Sequence, residues 1–361
     1  MGLNIAFFGS SLVSAYWNGA ATYYRGVLRA LYDRGHRTVF YEPDAYSRQQ
    51  HRDIADPDYA SVVVYTGEDG LSSALEAARS ADLVVKASGV GVFDAELERA
   101  VLELRRPGQN VVFWDVDAPA TLARVRENPA DPFRALIPRY DAVFTYGGGP
   151  PVIDAYTALG ARSCVPIYNG LDPATHHPVP ADSSFKADLG FLGNRLPDRE
   201  RRVEHFFLSV AERLPERSFL LGGSGWADKP RPENVRYLGH VYTHQHNAWN
   251  SSLLAALNIS RDSMAEMGYS PATRVFEAAG AGACIITDAW LGIEHFFEPD
   301  REILVARDAE EVARIVSELT PETSRRIGQA ALQRVLRDHT YAQRALEFER
   351  ALGLSIMELA S

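Results

Sequence analysis

Gly268–Asp288 reads GYSPATRVFEAAGAGACIITD. Ser270 suits an N-cap and Pro271 a first helical position. Val275, Phe276 and Ala279 supply an apolar helix face, while Ser270, Arg274, Glu277 and Ala281 share another at i, i+4, i+7 and i+11. Ala272 and Thr273 then offer backbone N–H groups at a helix start preceded by glycine, which is an anion site. Glu277 follows about 10 Å along the axis. The small run Ala278–Gly282 permits close approach to a neighbour, and ACIIT reads as a buried strand. Helix followed by buried strand is the repeat of a covered parallel sheet. An amphipathic helix with a surface Arg274–Glu277 pair explains the same residues without a ligand.

The rhythm extends to both sides. Leu189–Arg202, LGFLGNRLPDRERR, runs strand, Gly193-Asn194 turn, then a helix opened by Pro197. Arg195, Arg199, Arg201 and Arg202 crowd that helix start, where cations oppose the helix dipole. A diphosphate facing them would reconcile the two, with arginine giving bidentate contacts; a solvated mixed-charge turn is the plainer account. Val203, Phe206, Phe207, Val210, Ala211 and Leu214 form one helix face. Further strands fall at 187–192, 218–221, 235–238, 255–259, 284–287 and 302–305. Asp308 with Glu311 forms a capping box for a helix burying Val312, Ile315, Val316 and Leu319. The last ~40 residues are helical by pattern.

The first half repeats the scheme. Strands are predicted at 4–8, 38–41, 61–65, 83–86, 110–114 and 142–145, with helical stretches near 71–79, 93–105 and 119–137. NGLDPATHHPVPADSS, residues 169–184, interrupts it with three prolines and several turn formers. The expected layout is a domain over 1–168, a linker over 169–184, a second domain over 185–340, and a helix over 341–361 packing back on the first. The fold class is α/β, two doubly wound Rossmann-like domains facing a cleft, with ligands at the carboxyl ends of strands.

At 361 residues the chain can build a core in each half without staples. Its two cysteines, Cys164 and Cys284, lie in strand-like runs and form no disulfide framework. With 47 acidic against 37 basic side chains the net charge is −10, which argues against nucleic acid or an anionic membrane as main partner. No apolar run reaches ~18 residues, and MGLNIAFFGSS lacks the features of a signal peptide. A cytoplasmic protein is expected. His240, His244 and His246 have a spacing that fits no standard zinc site, so no metal and no cofactor are expected. Gly222-Gly223-Ser224-Gly225 follows a strand; a flexible turn explains it as well as a ligand does.

GFLGNRLPDRER and TRVFEAAGAGACIITD resemble the signatures of the CgeB-like (spore maturation protein) branch of GT-B glycosyltransferases, related to glycosyltransferase group 1. IYNGLDPATHHPV resembles the domain-joining segment of that group, and NGAATYYRGVLRALYDRGHRTVFYEPD its first helix and second strand. The resemblance spans nearly the whole chain and is tighter in the second half. It implies a GT-B fold and transfer of a sugar from a nucleotide-diphosphate donor, UDP-sugar as first choice, to a soluble acceptor: a small molecule, protein or glycan. Retention of configuration and independence of metal are implied too.

By position, Arg195 and Arg199 would hold the pyrophosphate with the amides after Ser270. Glu277 would hold the ribose, and Asn194, His240, Tyr269, Pro271, Ala272, Thr273, Arg274 and Gly19 would complete the donor site. Arg195 would also stabilise charge in the transition state. Tyr269 stands where the group carries the first glutamate of an E-x7-E pair, so the pair is incomplete. Asp115 and Asp117, at a strand end expected to face the cleft, are candidates to take the acceptor's proton, though either also suits an N-cap. Rivals are a UDP-sugar epimerase of the same fold and a nucleotide-sugar binder without turnover. Oligomeric state is not legible.

Overall fold

The computed structural model describes residues 2–16 and 18–354. They form two compact units. One runs to Asn169 and resumes at Tyr341; the other is Gly170–Thr340. Residues 355–361 of the expected final helix lie outside the described residues.

In the first unit seven strands are all parallel: β1 (Asn4–Phe8), β2 (Arg37–Pro43), β3 (Ala60–Tyr65), β4 (Leu83–Ala87), β5 (Asn110–Asp115), β6 (Ala142–Thr145) and β7 (Cys164–Pro166). Their order is β3-β2-β1-β4-β5-β6-β7, so the winding reverses between β1 and β4. That is a doubly wound sheet, and such sheets bind ligands beyond the strand ends at this reversal. The helix Ala21–Asp33 buries Tyr23, Tyr24, Val27, Leu28 and Leu31 on one face. The helix Tyr341–Ala351 joins the same core through Tyr341, Ala345 and Phe348. Phe348 stacks on Trp114 with ring centroids 5.8 Å apart. Burying such a phenylalanine contributes about 1.5–3 kcal/mol. Beside it, Arg34 pairs with Glu349 at 2.6 Å.

One local reading changes here. The stretch 119–137 is two helices, Ala118–Glu127 and Pro132–Leu136. Asn128-Pro129 ends the first, and Asp131 caps the second by accepting from the Phe133 N–H at 2.9 Å. After β6 the helix Gly149–Ala158 follows, with Pro150 in its first turn.

The second unit has six parallel strands: β8 (Ala187–Leu192), β9 (Phe219–Gly222), β10 (Val235–Tyr237), β11 (Leu253–Asn258), β12 (Ile285–Asp288) and β13 (Leu304–Ala306). Their order, β10-β9-β8-β11-β12-β13, is again doubly wound. The helix begun at Glu200 passes through a π turn, Glu204–Leu208, and continues over Ser209–Arg213. Its Val203, Phe207, Val210 and Ala211 are buried in the core with Phe191 and Phe219. Asp308 caps the helix Ala309–Glu318 through the Glu311 N–H. The Glu311 carboxylate returns to the N–H of Arg307, one residue before the cap position, at 2.8 Å. No helix among the described residues is long and apolar enough to cross a membrane.

Candidate functional site

The carboxyl ends of β8 and β9 carry two interlocked turns. The Gly193 N–H donates to Gly222 O and the Arg195 N–H to Ser224 O, both at 2.9 Å. Asn194 Oδ1 accepts from the Ser224 N–H at 2.9 Å. Gly223 has φ +119°, and a Cβ there would stand 2.2 Å from the Gly193 carbonyl oxygen, so the position demands glycine. Gly222–Gly225 is thus a packed turn rather than a flexible one. Asn194 is its clamp: its carbonyl also accepts from Arg199 Nη2 at 2.6 Å.

The arginines of the helix start diverge. Arg195 pairs with Glu200 at 2.7 Å and with Asp228 at 3.1 Å. Those carboxylates hold its guanidinium well above the ordinary range, and Arg195 together with Lys229 holds Glu200 down to about 2. Arg195, expected to face a diphosphate, here turns to these surface carboxylates. Arg202 pairs with Asp288 at the end of β12, a carboxylate with no exposure that also accepts from the Ser260 N–H. Arg199 turns inward over the Phe191 ring, 5.5 Å from its centroid. Its buried Nε has no hydrogen-bond partner, and neither has the buried Nη1 of Arg274. Burial lowers the Arg199 guanidinium to about 10, and the charge of Arg274 pushes the same way. Burial lowers Arg274 too, against the opposing pull of Glu277.

The helix that carries Arg274 starts at Thr273, two residues later than its sequence suggests. Tyr269 causes the slip. It sits at φ +47°, a costly conformation for a bulky residue, with its ring against Gly292 and its N–H on Leu291 O at 2.6 Å. The chain past it is extended, and Ala272 takes the N-cap position at ψ 144°. Ser270 is buried and donates its hydroxyl to Gly268 O at 2.9 Å, so it caps nothing, and Pro271 precedes the helix rather than opening it. Glu277 lies one turn beyond Arg274. Nε2 of His176 approaches its Oε1 to 3.9 Å. The third neighbour is His246, whose ring centroid is 6.2 Å from that of His176. Burial and the Arg274 charge lower the His246 imidazole to about 4.

His240 and His244 take no part. Both are exposed and pack around Tyr242, 4.7 and 5.8 Å from its ring centroid. His240 therefore stays a donor contact by resemblance alone. His176 was hidden by its setting, a proline-rich run that reads as a connection. Its one signal is the pair His176-His177, which carries no spacing to a partner.

In the first unit the Gly9-Ser10-Ser11 turn is fixed by its own side chains. Ser11 donates to Glu42 at 2.9 Å, and Ser10 donates to Asn18 at 2.9 Å. Gly19 is exposed and faces open space. Asp115 contradicts its expected role. It has no exposure and accepts from Ser88 (2.8 Å), Tyr156 (2.5 Å), Thr121 (3.0 Å) and the Asp117 N–H (3.0 Å). A carboxylate so enclosed anchors strand ends and has no access to a substrate proton. Asp117 is exposed at the N-cap position of Ala118–Glu127 without a capping hydrogen bond, which leaves its carboxylate available.

Residues 199–350, somewhat under half of the chain, match the family described as Glycosyl transferase-like. No curated protein sequence matches. Among solved structures, Anabaena Alr3699/HepE in complex with UDP-glucose aligns with TM-score 0.67 at 15% identity, over 97% of this chain and 99% of that one. Sucrose-phosphate synthase (tll1590) from Thermosynechococcus elongatus gives 0.66 at 14%, over 97% and 98%. An alpha-glucosyltransferase in complex with UDP and a 13-mer DNA gives 0.65 at 12%, over 98% and 99%. The last of these is a glucosyltransferase by name, and the architecture shared with this chain is GT-B.

Proposed function

We propose that this GT-B protein is a glycosyltransferase of the CgeB-like kind, taking a sugar from a nucleotide-diphosphate donor, UDP-sugar first, held by the second unit. The first unit then receives a small-molecule, protein or glycan acceptor, with Asp117 as its base. One observation carries the reading: Arg199 and Arg274, both half-buried, lie within each other's field, each with a buried, unpartnered nitrogen. Two such cations destabilise a fold unless an anion joins them. A diphosphate supplies that anion and uses the free guanidinium N–H groups.

When the anomeric bond breaks, negative charge grows on the diphosphate. Fixed donors aimed at that charge lower the barrier, and arginines serve without a metal. Among the described residues no hydrogen bond reaches the Glu277 carboxylate, so it is ready to accept from ribose hydroxyls. The family match over 199–350 supports the reading, as do fold relatives described with UDP or UDP-glucose bound. Two unpaired cysteines suit the cytoplasm. A binder without turnover is the second reading, favoured by Tyr269 in place of a carboxylate. Incubation with a panel of nucleotide-sugars and acceptors separates them. Release of nucleoside diphosphate supports transfer, and binding without release supports the second.

A further inference from the structure

We propose that His176, His246 and Glu277 form a site for one divalent transition-metal ion, zinc being the model case. One ligating atom from each lies within 4.8 Å of the other two. A tetrahedral zinc site with bonds of ~2.1 Å needs ligand atoms about 3.4 Å apart. Binding therefore draws the ligand atoms together from the separations seen here. Two histidines and a glutamate are a recognised zinc set that leaves a fourth position open.

The hydrogen bonds fix the tautomers that ligation needs. Thr175 Oγ1 donates its proton to Asp172 O at 3.1 Å, so it can only accept from His176 Nδ1 at 3.0 Å. The proton of His176 is then on Nδ1, and Nε2 presents a lone pair. That Nε2 is buried and has no hydrogen-bond partner, in a residue only 6% exposed. Its neighbour Glu277 has no proton to offer as a carboxylate. On His246 the Val241 carbonyl, 3.4 Å from Nε2, accepts and cannot donate. Nδ1 of His246 is therefore the free lone pair. The His176 Nε2 lone pair faces the Glu277 carboxylate with no donor between them, and a His246 ring nitrogen lies within 4.8 Å of both, which is the electronic demand of a cation.

The scaffold is held in place as metal ligands usually are, by outer hydrogen bonds. Asn247 Nδ2 donates to Thr175 O at 3.0 Å, and its Oδ1 accepts from the His177 N–H at 3.3 Å. This ties the helix carrying His246 to the segment carrying His176. Glu277 is shared with the ribose reading above, so metal and nucleotide exclude each other at this carboxylate; that corollary alone rests on the proposed function.

The test is titration of the full chain, free of chelator and nucleotide, with Co2+ followed by its visible absorption and with Zn2+ by calorimetry. One ion per chain is expected, with affinity falling at least about tenfold in both His176→Phe and His246→Asn and unchanged in His244→Ala. Circular dichroism checks that each variant is folded, and one folded histidine variant suffices. No saturable binding, or equal affinity in the folded histidine variants, overturns the site. UDP added to the Zn2+-loaded protein is expected to bind at least about tenfold more weakly than to the metal-free protein. Undiminished UDP binding with Zn2+ in place overturns the shared use of Glu277 and leaves the metal site standing.

Discussion

Arg199 and Arg274 bring two half-buried guanidinium groups into each other's field, each with one buried nitrogen that has no partner, and neither forms an ion pair with a carboxylate among the described residues. Arg199 comes from the turn after β8, Arg274 from the first turn of the helix before β12. The pair is made by the parallel sheet, which sets both elements at one rim.

Replacing Arg199 by methionine removes a half-buried cation while keeping the stem that packs on Phe191. The folded protein without ligand should melt at an equal or higher temperature. The same change should weaken UDP binding by about tenfold or more, since a charge-assisted hydrogen bond contributes about 1.5–3 kcal/mol. Uridine, which has no phosphate, should bind both proteins alike. Scanning calorimetry and titration calorimetry check the two halves.

Arg195→Ala should leave UDP affinity within about twofold, because surface ion pairs with Glu200 and Asp228 already meet its charge. A loss comparable to that of Arg199→Met would return Arg195 to the diphosphate.

Much of this was legible in the residues. Alternating buried strands and amphipathic helices mark both sheets, and the Asp308 cap stands where its spacing puts it. The site was legible only where neighbours in sequence are neighbours in space, as with Arg274 and Glu277. His176 joins them from about 100 residues away, through a segment with no periodicity to follow. Asp115 misled because a strand-end aspartate looks the same whether it faces solvent or is enclosed by Ser88, Thr121 and Tyr156. Ser270 misled because the left-handed turn at Tyr269, which a bulky residue seldom adopts, moved the helix start.

Asp115→Asn should destabilise the first unit by about 1–3 kcal/mol, since an amide turns N–H groups toward donors that need an acceptor. Burial raises the Asp115 carboxyl above its usual value. The sign follows: a raised folded pKa favours the protonated folded form. That contribution is complete below about pH 3.9, the unfolded value, and declines as pH rises through the folded value. The pH dependence of melting in wild type and Asp115→Asn, both monitored between pH 3 and 7, reads the difference.

Gly223→Ala should cost more than about 1 kcal/mol, because the left-handed backbone and the Gly193 carbonyl both oppose a side chain. UDP binding should fall with it, as the side chain displaces the Gly193-Asn194 turn whose backbone carbonyl holds Arg199. Chemical denaturation, followed by titration on the folded fraction, measures both.

The most direct test of the nucleotide site is calorimetric titration of UDP into wild type and Glu277→Gln, with melting temperatures recorded for each. The expected result is saturable one-to-one binding in wild type, about tenfold or more weaker in Glu277→Gln at unchanged melting temperature. Equal UDP affinity in the two proteins would contradict the account.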